Sequence, residues 1–296
     1  MPLDLIYQLL KKIEKTNFYD KVIERSVIDE KSGIITSLDL SYLEITVLPK
    51  GLFEKFHSLK ILDLSFNHIS KIYGDTFEGL YKLENLQLSL NDLEIIDKDS
   101  FKSLRSLKQL FLSGNELCEL DPLTFSCLKN LEILNLGQYF EPNKFEKLHQ
   151  DLFRNLSNLK YLAIADCKLH ELAPNQFSDL IKLEELNLCC NKFVELHDSL
   201  LNNQTELKQL ELSDNLLTDL PNSIWKLYKL EFLNLKGNSL ENSWNKSFKN
   251  HKVTQDFIKN KSLNSYYKHE WPHIAIRYLF KLFPLIAILI IILNYR

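Results

Sequence analysis

Apolar residues fall along the chain in one recurring pattern, L-x-x-L-x-L-x-x-N-x-L, met nine times. Its leading positions are Ile35/Leu38/Leu40, Leu59/Leu62/Leu64, Leu83/Leu86/Leu88, Leu107/Leu110/Leu112 and Leu131/Leu134/Leu136, then Leu159/Leu162/Ile164, Leu183/Leu186/Leu188, Leu207/Leu210/Leu212 and Leu230/Leu233/Leu235. Starts lie 24 residues apart, except for one step of 28 (131 to 159) and one of 23 (207 to 230). The L-x-L pair predicts a short strand with its leucines turned inward and the residues between them turned out. A single unit has nothing to bury that apolar edge against, so neighbours must stack to complete a core.

Two further columns run through the repeats. The ninth position holds Asn67, Asn91, Asn115, Asn191, Asn215 and Asn238, joined by Asn143 beyond the long step, with Cys167 in the sixth repeat and Leu43 in the first. An amide there satisfies backbone groups of the turn leaving each strand and forms a ladder along the stack. Ten positions later stand Phe77, Phe101, Phe125 and Phe177, with Phe53 and Phe153 as counterparts, a stripe expected to fill the side opposite the strands. The last repeats replace it with Leu201 and Ile224, within Leu220-Pro221-Asn222-Ser223-Ile224.

Over residues 34–245 this arrangement resembles the leucine-rich-repeat superfamily, in its 24-residue class. The resemblance implies an α/β fold: a leucine-rich-repeat solenoid, curved as a horseshoe, with a parallel short-strand sheet on its concave face. Such proteins recognise protein partners and carry no chemistry of their own, so the expectation is a non-enzymatic protein–protein interaction scaffold without cofactor or metal. Cysteine clusters that cap many secreted members are missing here.

The ends of a solenoid need covering. Leu3, Ile6, Leu9, Leu10 and Ile13 fall at helical spacing, which predicts an amphipathic helix over 2–15 within an N-terminal cap of residues 1–33. After the repeats comes a basic segment, 246–273, where Val253, Phe257 and Ile258 form a candidate capping helix. Residues 274–296 follow as a hydrophobic C-terminal helix whose core, Leu282 to Leu293, is twelve residues without charge. Twelve residues span roughly 18 Å, short of a hydrocarbon core of about 30 Å, whereas a start at Ile274 reaches that span with Arg277 and Lys281 near its edge. The reading is a tail anchor that holds the repeats on the cytoplasmic side; the alternative is a helix docked on a soluble adaptor.

Partner-binding candidates are the variable positions between the leucines. One column reads Ser37, Ile61, Asn85, Gln109, Ile133, Tyr161, Glu185, Gln209, Phe232, and the next Asp39, Asp63, Gln87, Phe111, Asn135, Ala163, Asn187, Glu211, Asn234. The position before the asparagine adds Tyr42, Phe66, Leu90, Gly114, Gln138, Asp166, Cys190, Asp214 and Gly237. The expected contact surface comprises Ile61, Asp63, Phe66, Gln87, Leu90, Phe111, Ile133, Asn135 and Tyr161, an apolar patch with acids toward its C-terminal side. Tyr139 and Phe140 join it on the four extra residues of the fifth repeat.

Composition narrows the alternatives. Seven glycines and no G-x-G-x-x-G or G-x-x-x-x-G-K-[ST] argue against nucleotide binding. Residues 246–281 carry eight Lys/Arg against two acids, whereas residues 1–245 carry 27 against 37. A basic stretch beside an apolar one points to a membrane surface and away from nucleic acid. Cys118, Cys127, Cys167, Cys189 and Cys190 are odd in number without a CxxC, and Met1-Pro2-Leu3-Asp4-Leu5 lacks a secretory start, which favours a reducing, intracellular setting. His269-Glu270-Trp271-Pro272-His273 spells H-E-x-x-H, but Pro272 interrupts the helix a zinc site requires. Asn155, Asn203, Asn245 and Asn260 open N-x-[ST] sequons, the one mark of a receptor-like ectodomain.

Overall fold

The computed structural model describes residues 2–29, 31–137 and 142–240. Tyr139, Phe140, the second capping helix, the His269–His273 motif and the hydrophobic segment 274–296 lie outside them. The chain divides into two compact units, 1–248 and 249–296, and the described residues all fall in the first.

Each L-x-L segment is a strand: β2 (Ile35–Asp39), β3 (Ile61–Asp63), β5 (Asn85–Gln87), β7 (Gln109–Phe111), β8 (Ile133–Gly137), β9 (Tyr161–Ile164), β10 (Glu185–Asn187), β11 (Gln209–Glu211) and β12 (Phe232–Asn234). They pair in parallel in that order, repeat on repeat, so Leu38, Leu62, Leu86, Leu110, Leu134, Leu162, Leu186, Leu210 and Leu233 form one unbroken row. That row is buried throughout, which is why register cannot slip: a shift of one residue would turn the leucines to water. On one flank β4 (Lys71–Ile72) and β6 (Ile95–Ile96) make a second, two-stranded parallel sheet.

Opposite the strands, Phe53, Phe77, Phe101 and Phe125 stack with ring centroids 6.1–6.2 Å apart, and Phe153 meets Phe177 at 6.0 Å. All six rings are buried, as are Phe145 and Phe193, which stand outside the column. Between sheet and spine runs the asparagine ladder. Asn67 donates through Nδ2 to the carbonyls of Leu40 and Leu64, both at 2.9 Å, while its Oδ1 accepts from the amides of Leu43 and Ile45. Asn91, Asn115, Asn191, Asn215 and Asn238 repeat the arrangement. Asn143 rejoins it across the long fifth repeat, reaching Leu112 O at 3.0 Å and Leu136 O at 2.6 Å. Cys167 replaces the amide with weaker sulfur contacts, 3.6 Å to Leu136 O and 3.3 Å to Ala165 O. Gly137 stands where five other repeats carry serine, and a β-carbon there would run into Ala165 O and come within 2.6 Å of the Cys167 sulfur.

The turns after β2, β3, β5, β7, β9, β10, β11 and β12 each take a left-handed residue. Tyr42, Phe66, Leu90, Asp166, Cys190 and Asp214 adopt φ between 52° and 58° there, with Gly114 and Gly237 in the same column. A non-glycine residue in this conformation costs about 1 kcal/mol or more, so the turns are held by the ladder beneath them rather than by preference.

The N-terminal cap is richer than the single expected helix. Helix α1 (Pro2–Lys12) buries Ile6, Leu9 and Leu10, with Ile13 just beyond its end, whereas Leu3 stays 45% exposed. It stops short of residue 15 because Glu14 turns left-handed (φ 58°), with Lys15 N bonded to Leu10 O and Glu14 N to Lys11 O, the pairing that closes a helix C-terminus. A turn at Thr16–Phe18 leads into α2 (Tyr19–Arg25), and then β1 (Val27–Ile28) pairs antiparallel with β2. This reversed strand covers the backbone groups that a parallel sheet leaves exposed at its first edge. Arg25 donates to Ser41 O and lies 3.9 Å from Asp39.

One column was not anticipated. Immediately before the outward-facing strand positions stand Lys60, Glu84, Lys108, Glu132, Lys160, Glu184, Lys208 and Glu231, alternating in sign over eight consecutive repeats. From Glu84 onward each backbone amide in the column donates to the carbonyl of its counterpart one repeat earlier, at 2.7–2.9 Å. Lys108 pairs with Glu84 at 2.8 Å, Lys160 with Glu132 at 2.7 Å and Lys208 with Glu184 at 2.5 Å.

Candidate functional site

The open face of the ten-stranded sheet carries the predicted columns in the predicted register. Ile61, Asn85, Gln109, Ile133 and Tyr161 are successive partners across β3, β5, β7, β8 and β9, and Asp63, Gln87, Phe111, Asn135 and Ala163 lie beside them. Adjacent strands are about 4.8 Å apart and Phe111 stands two residues further along its strand than the Ile133–Tyr161 row, so the three sit on neighbouring strands within roughly 12 Å. Ile61 is 43% exposed, and Gln87, Phe111, Ile133 and Tyr161 are half-buried. Burial pushes the Tyr161 hydroxyl up to about 12, with the Glu185 carboxylate adding to the shift, so it stays protonated and acts as donor or apolar contact, never as a base.

The remaining candidates serve the fold first. Asp63 is only 9% exposed and Asn135 only 7%, because each carries an oxygen that the next turn needs. Asp63 Oδ1 accepts from Ser65 N at 2.9 Å and Ser65 Oγ at 2.6 Å, and Asn135 Oδ1 accepts from Gly137 N at 3.1 Å. Asp39, Asn187, Glu211 and Asn234 do the same for Ser41, Cys189, Ser213 and Lys236. The signal was present as an acceptor two residues before a small residue, in Asp39-Leu40-Ser41 and Asp63-Leu64-Ser65. Burial raises the Asp63 carboxyl to about 6 against the pull of the Ser65 bonds, with Asp39 adding to the rise.

Phe66 and Leu90 occupy left-handed turn positions and pack along the rim. Tyr42 stacks on Phe66 with centroids 4.2 Å apart, and Leu90 covers Gly114, whose absent β-carbon would fall 2.6 Å from Leu90 Cδ2. Tyr139 and Phe140 belong to the part of the fifth repeat that is not described.

Toward the C-terminal side the face turns acidic. Asp166 is half-buried at the end of β9, Glu185 and Glu211 lie on β10 and β11, and Asp214 is exposed beyond β11. Cys190 stands among them; burial raises its thiol pKa, and Asp214, Asp166 and Glu211 raise it further, which keeps the thiol protonated and poorly nucleophilic. All five cysteines are free, and among the described residues no group of three or more His, Cys, Asp or Glu is placed to hold a metal.

Comparison with known structures places this geometry among familiar ones. The chain is similar to TLR13 in the crystal structure of its complex with ssRNA13, at 29% identity and a TM-score of 0.67, over 72% of this chain and 30% of that one. It is similar to a leucine-rich-repeat protein of Leptospira interrogans at 26% identity and a TM-score of 0.60, over 68% and 54%. Toll of Drosophila, in its complex with Spatzle, shares the fold at 24% identity and a TM-score of 0.58, over 70% and 30%. The chain thus spans under a third of TLR13 and Toll and about half of the Leptospira protein. No curated protein matches it. The family model described as Leucine rich repeat matches residues 35–93, 82–138, 141–188 and 181–240, more than half of the chain. With its stacked parallel strands, asparagine ladder and phenylalanine spine, the chain belongs to the leucine-rich-repeat family.

Proposed function

We propose that the chain is a non-enzymatic recognition module that grips a protein partner on the open face of its sheet and is tethered to an intracellular membrane through residues 274–296, with the repeats on the cytoplasmic side. The observation that carries the recognition half is the register that pairs Ile133 with Tyr161 on β8 and β9 and sets Phe111 of β7, opposite Asn135, diagonally beside them. Aromatic and aliphatic side chains spaced this way on a rigid sheet are suitable anchors, since little conformational freedom is lost when a partner covers them. The similarity to Toll and TLR13 agrees with ligand recognition by this fold; Spatzle and RNA are ligands of those proteins. A phosphate-rich ligand suits this face poorly: its three outward columns contain Asp39, Asp63, Asp166, Glu185, Glu211 and Asp214 and not one Lys, Arg or His.

The tether rests on the uncharged run Leu282–Leu293 and the basic segment before it. Two measurements test the proposal. The F111A/Y161A double variant should retain its unfolding midpoint to within a few degrees and lose partner capture; undiminished capture removes the site. Deleting 274–296 should move the protein from the alkaline-carbonate pellet to the supernatant; a full-length chain already found in the supernatant removes the tether.

A further inference from the structure

We infer that the partner presents a positively charged, extended segment whose apolar residues sit over Phe111, Ile133 and Tyr161 and whose Lys or Arg side chains lie over Asp166, Glu211 and Asp214. This deepens the proposed function and rests on its reading of the open face.

The face is polar in one direction. Its N-terminal strands expose Ile61 and place Phe111 and Ile133 outward, while Asp166 in the turn after β9, Glu211 on β11 and Asp214 in the turn after β11 make its C-terminal side acidic. The field of these three acids converges, since each raises the thiol pKa of Cys190 between them. They do not gather around one point as ligands of an ion would: they are spread from the end of β9 to beyond β11, and no metal-holding group occurs among the described residues. Spread carboxylates are matched by cationic side chains carried on a chain.

The dimensions set the spacing. From β8 to β11 is three strand steps, about 14 Å at about 4.8 Å per step, which an extended segment crosses in about four residues. Ile133 is in register with Gln209, and Asp214 stands five residues beyond it, which adds up to about 16 Å along the strands, so an apolar residue and a basic one about four to seven positions apart would bridge Ile133 and Asp214. Neither β8 nor β11 has to move, because both are fixed by the buried rows of leucine and asparagine beneath them.

The test is selection of random twelve-residue displayed peptides against the full-length chain. The expected winners place Lys or Arg four to seven residues from Leu, Ile, Phe or Trp. Their binding should weaken about tenfold in D166N/D214N, about tenfold between 0.05 M and 0.5 M salt, and at least tenfold in F111A. Asparagine keeps the left-handed turn at both positions, so the acid-to-amide variant remains folded, as its melting curve should show. The control E119Q/E195Q removes two flank charges and should change nothing; an equal loss there assigns the effect to net charge and overturns the inference. Winners that need Phe111 but are neutral or acidic, or indifferent to D166N/D214N, overturn the partner chemistry and leave the face. Winners indifferent to F111A, or none at all, overturn the face itself. Labelled single-stranded RNA that binds the chain in the absence of peptide, and loses that binding in F111A, also overturns the inference.

Discussion

Asp63 and Ser65 are joined by two hydrogen bonds through one carboxylate oxygen, 2.9 Å from the serine amide and 2.6 Å from its hydroxyl. Buried beside Asp39, this carboxyl keeps its proton to about pH 6 in the folded chain, against 3.8 ordinarily. The folded state therefore binds more protons than the unfolded one between about pH 4 and 6, and stability falls as pH rises through that window. Asp63→Asn retains the accepting oxygen without the charge, as Asn135, Asn187 and Asn234 already do in other repeats. It should stabilise by about 1–3 kcal/mol at pH 7 and by little at pH 4. Urea titrations at the two pH values decide: equal shifts at both would remove burial of charge as the cause.

Two phenylalanines ten residues apart should behave oppositely. Phe101 lies in the stacked spine between Phe77 and Phe125, wholly buried, and Phe101→Ala should cost about 3–5 kcal/mol. Phe111 is half-buried on the open face, and Phe111→Ala should cost about 1 kcal/mol while abolishing capture. Thermal unfolding beside a binding assay separates the two roles.

Asn115 satisfies three buried backbone groups, donating to Leu88 O and Leu112 O and accepting from Leu93 N, all at 3.0 Å. Asn115→Ala should destabilise by about 2–4 kcal/mol, since unsatisfied partners stay buried. Cys167→Ala, which removes only long sulfur contacts, should cost less than half as much in the same denaturant series. Comparable losses would mean that the sulfur is a full substitute for the amide.

Lys108→Glu places three acids in succession in the alternating column, with Glu84 on one side and Glu132 on the other. The unfolding midpoint should drop at low salt and largely recover at 0.5 M, because these groups face solvent. A drop that ignores salt would point to lost packing of the lysine stem instead.

The repeating part of the fold was legible because its period is imposed by burial: every inward leucine and every ladder amide answers to the same stack, so Asn143 could be placed even beyond four extra residues. The cap was legible only where it repeats. Leu9 and Leu10 mark α1, but α2 and β1 arise from residues 19–28, where only Val22 is buried and pairing with β2 decides the form. Among the candidate contacts, Ile61 is exposed and Phe111, Ile133 and Tyr161 are half-buried, whereas Asp63 and Asn135 are buried, since a column position alone does not reveal that a turn claims the side chain. The alternating charges escaped notice for the opposite reason: each pair looks like ordinary surface, and only the aligned column shows the order.

That order sets a parity on the whole molecule. Removing one coil from the middle would bring two lysines or two glutamates face to face at the splice, whereas removing two neighbouring coils leaves every charge beside its opposite. A change of two coils therefore preserves the alternation along this rim, where a change of one breaks it.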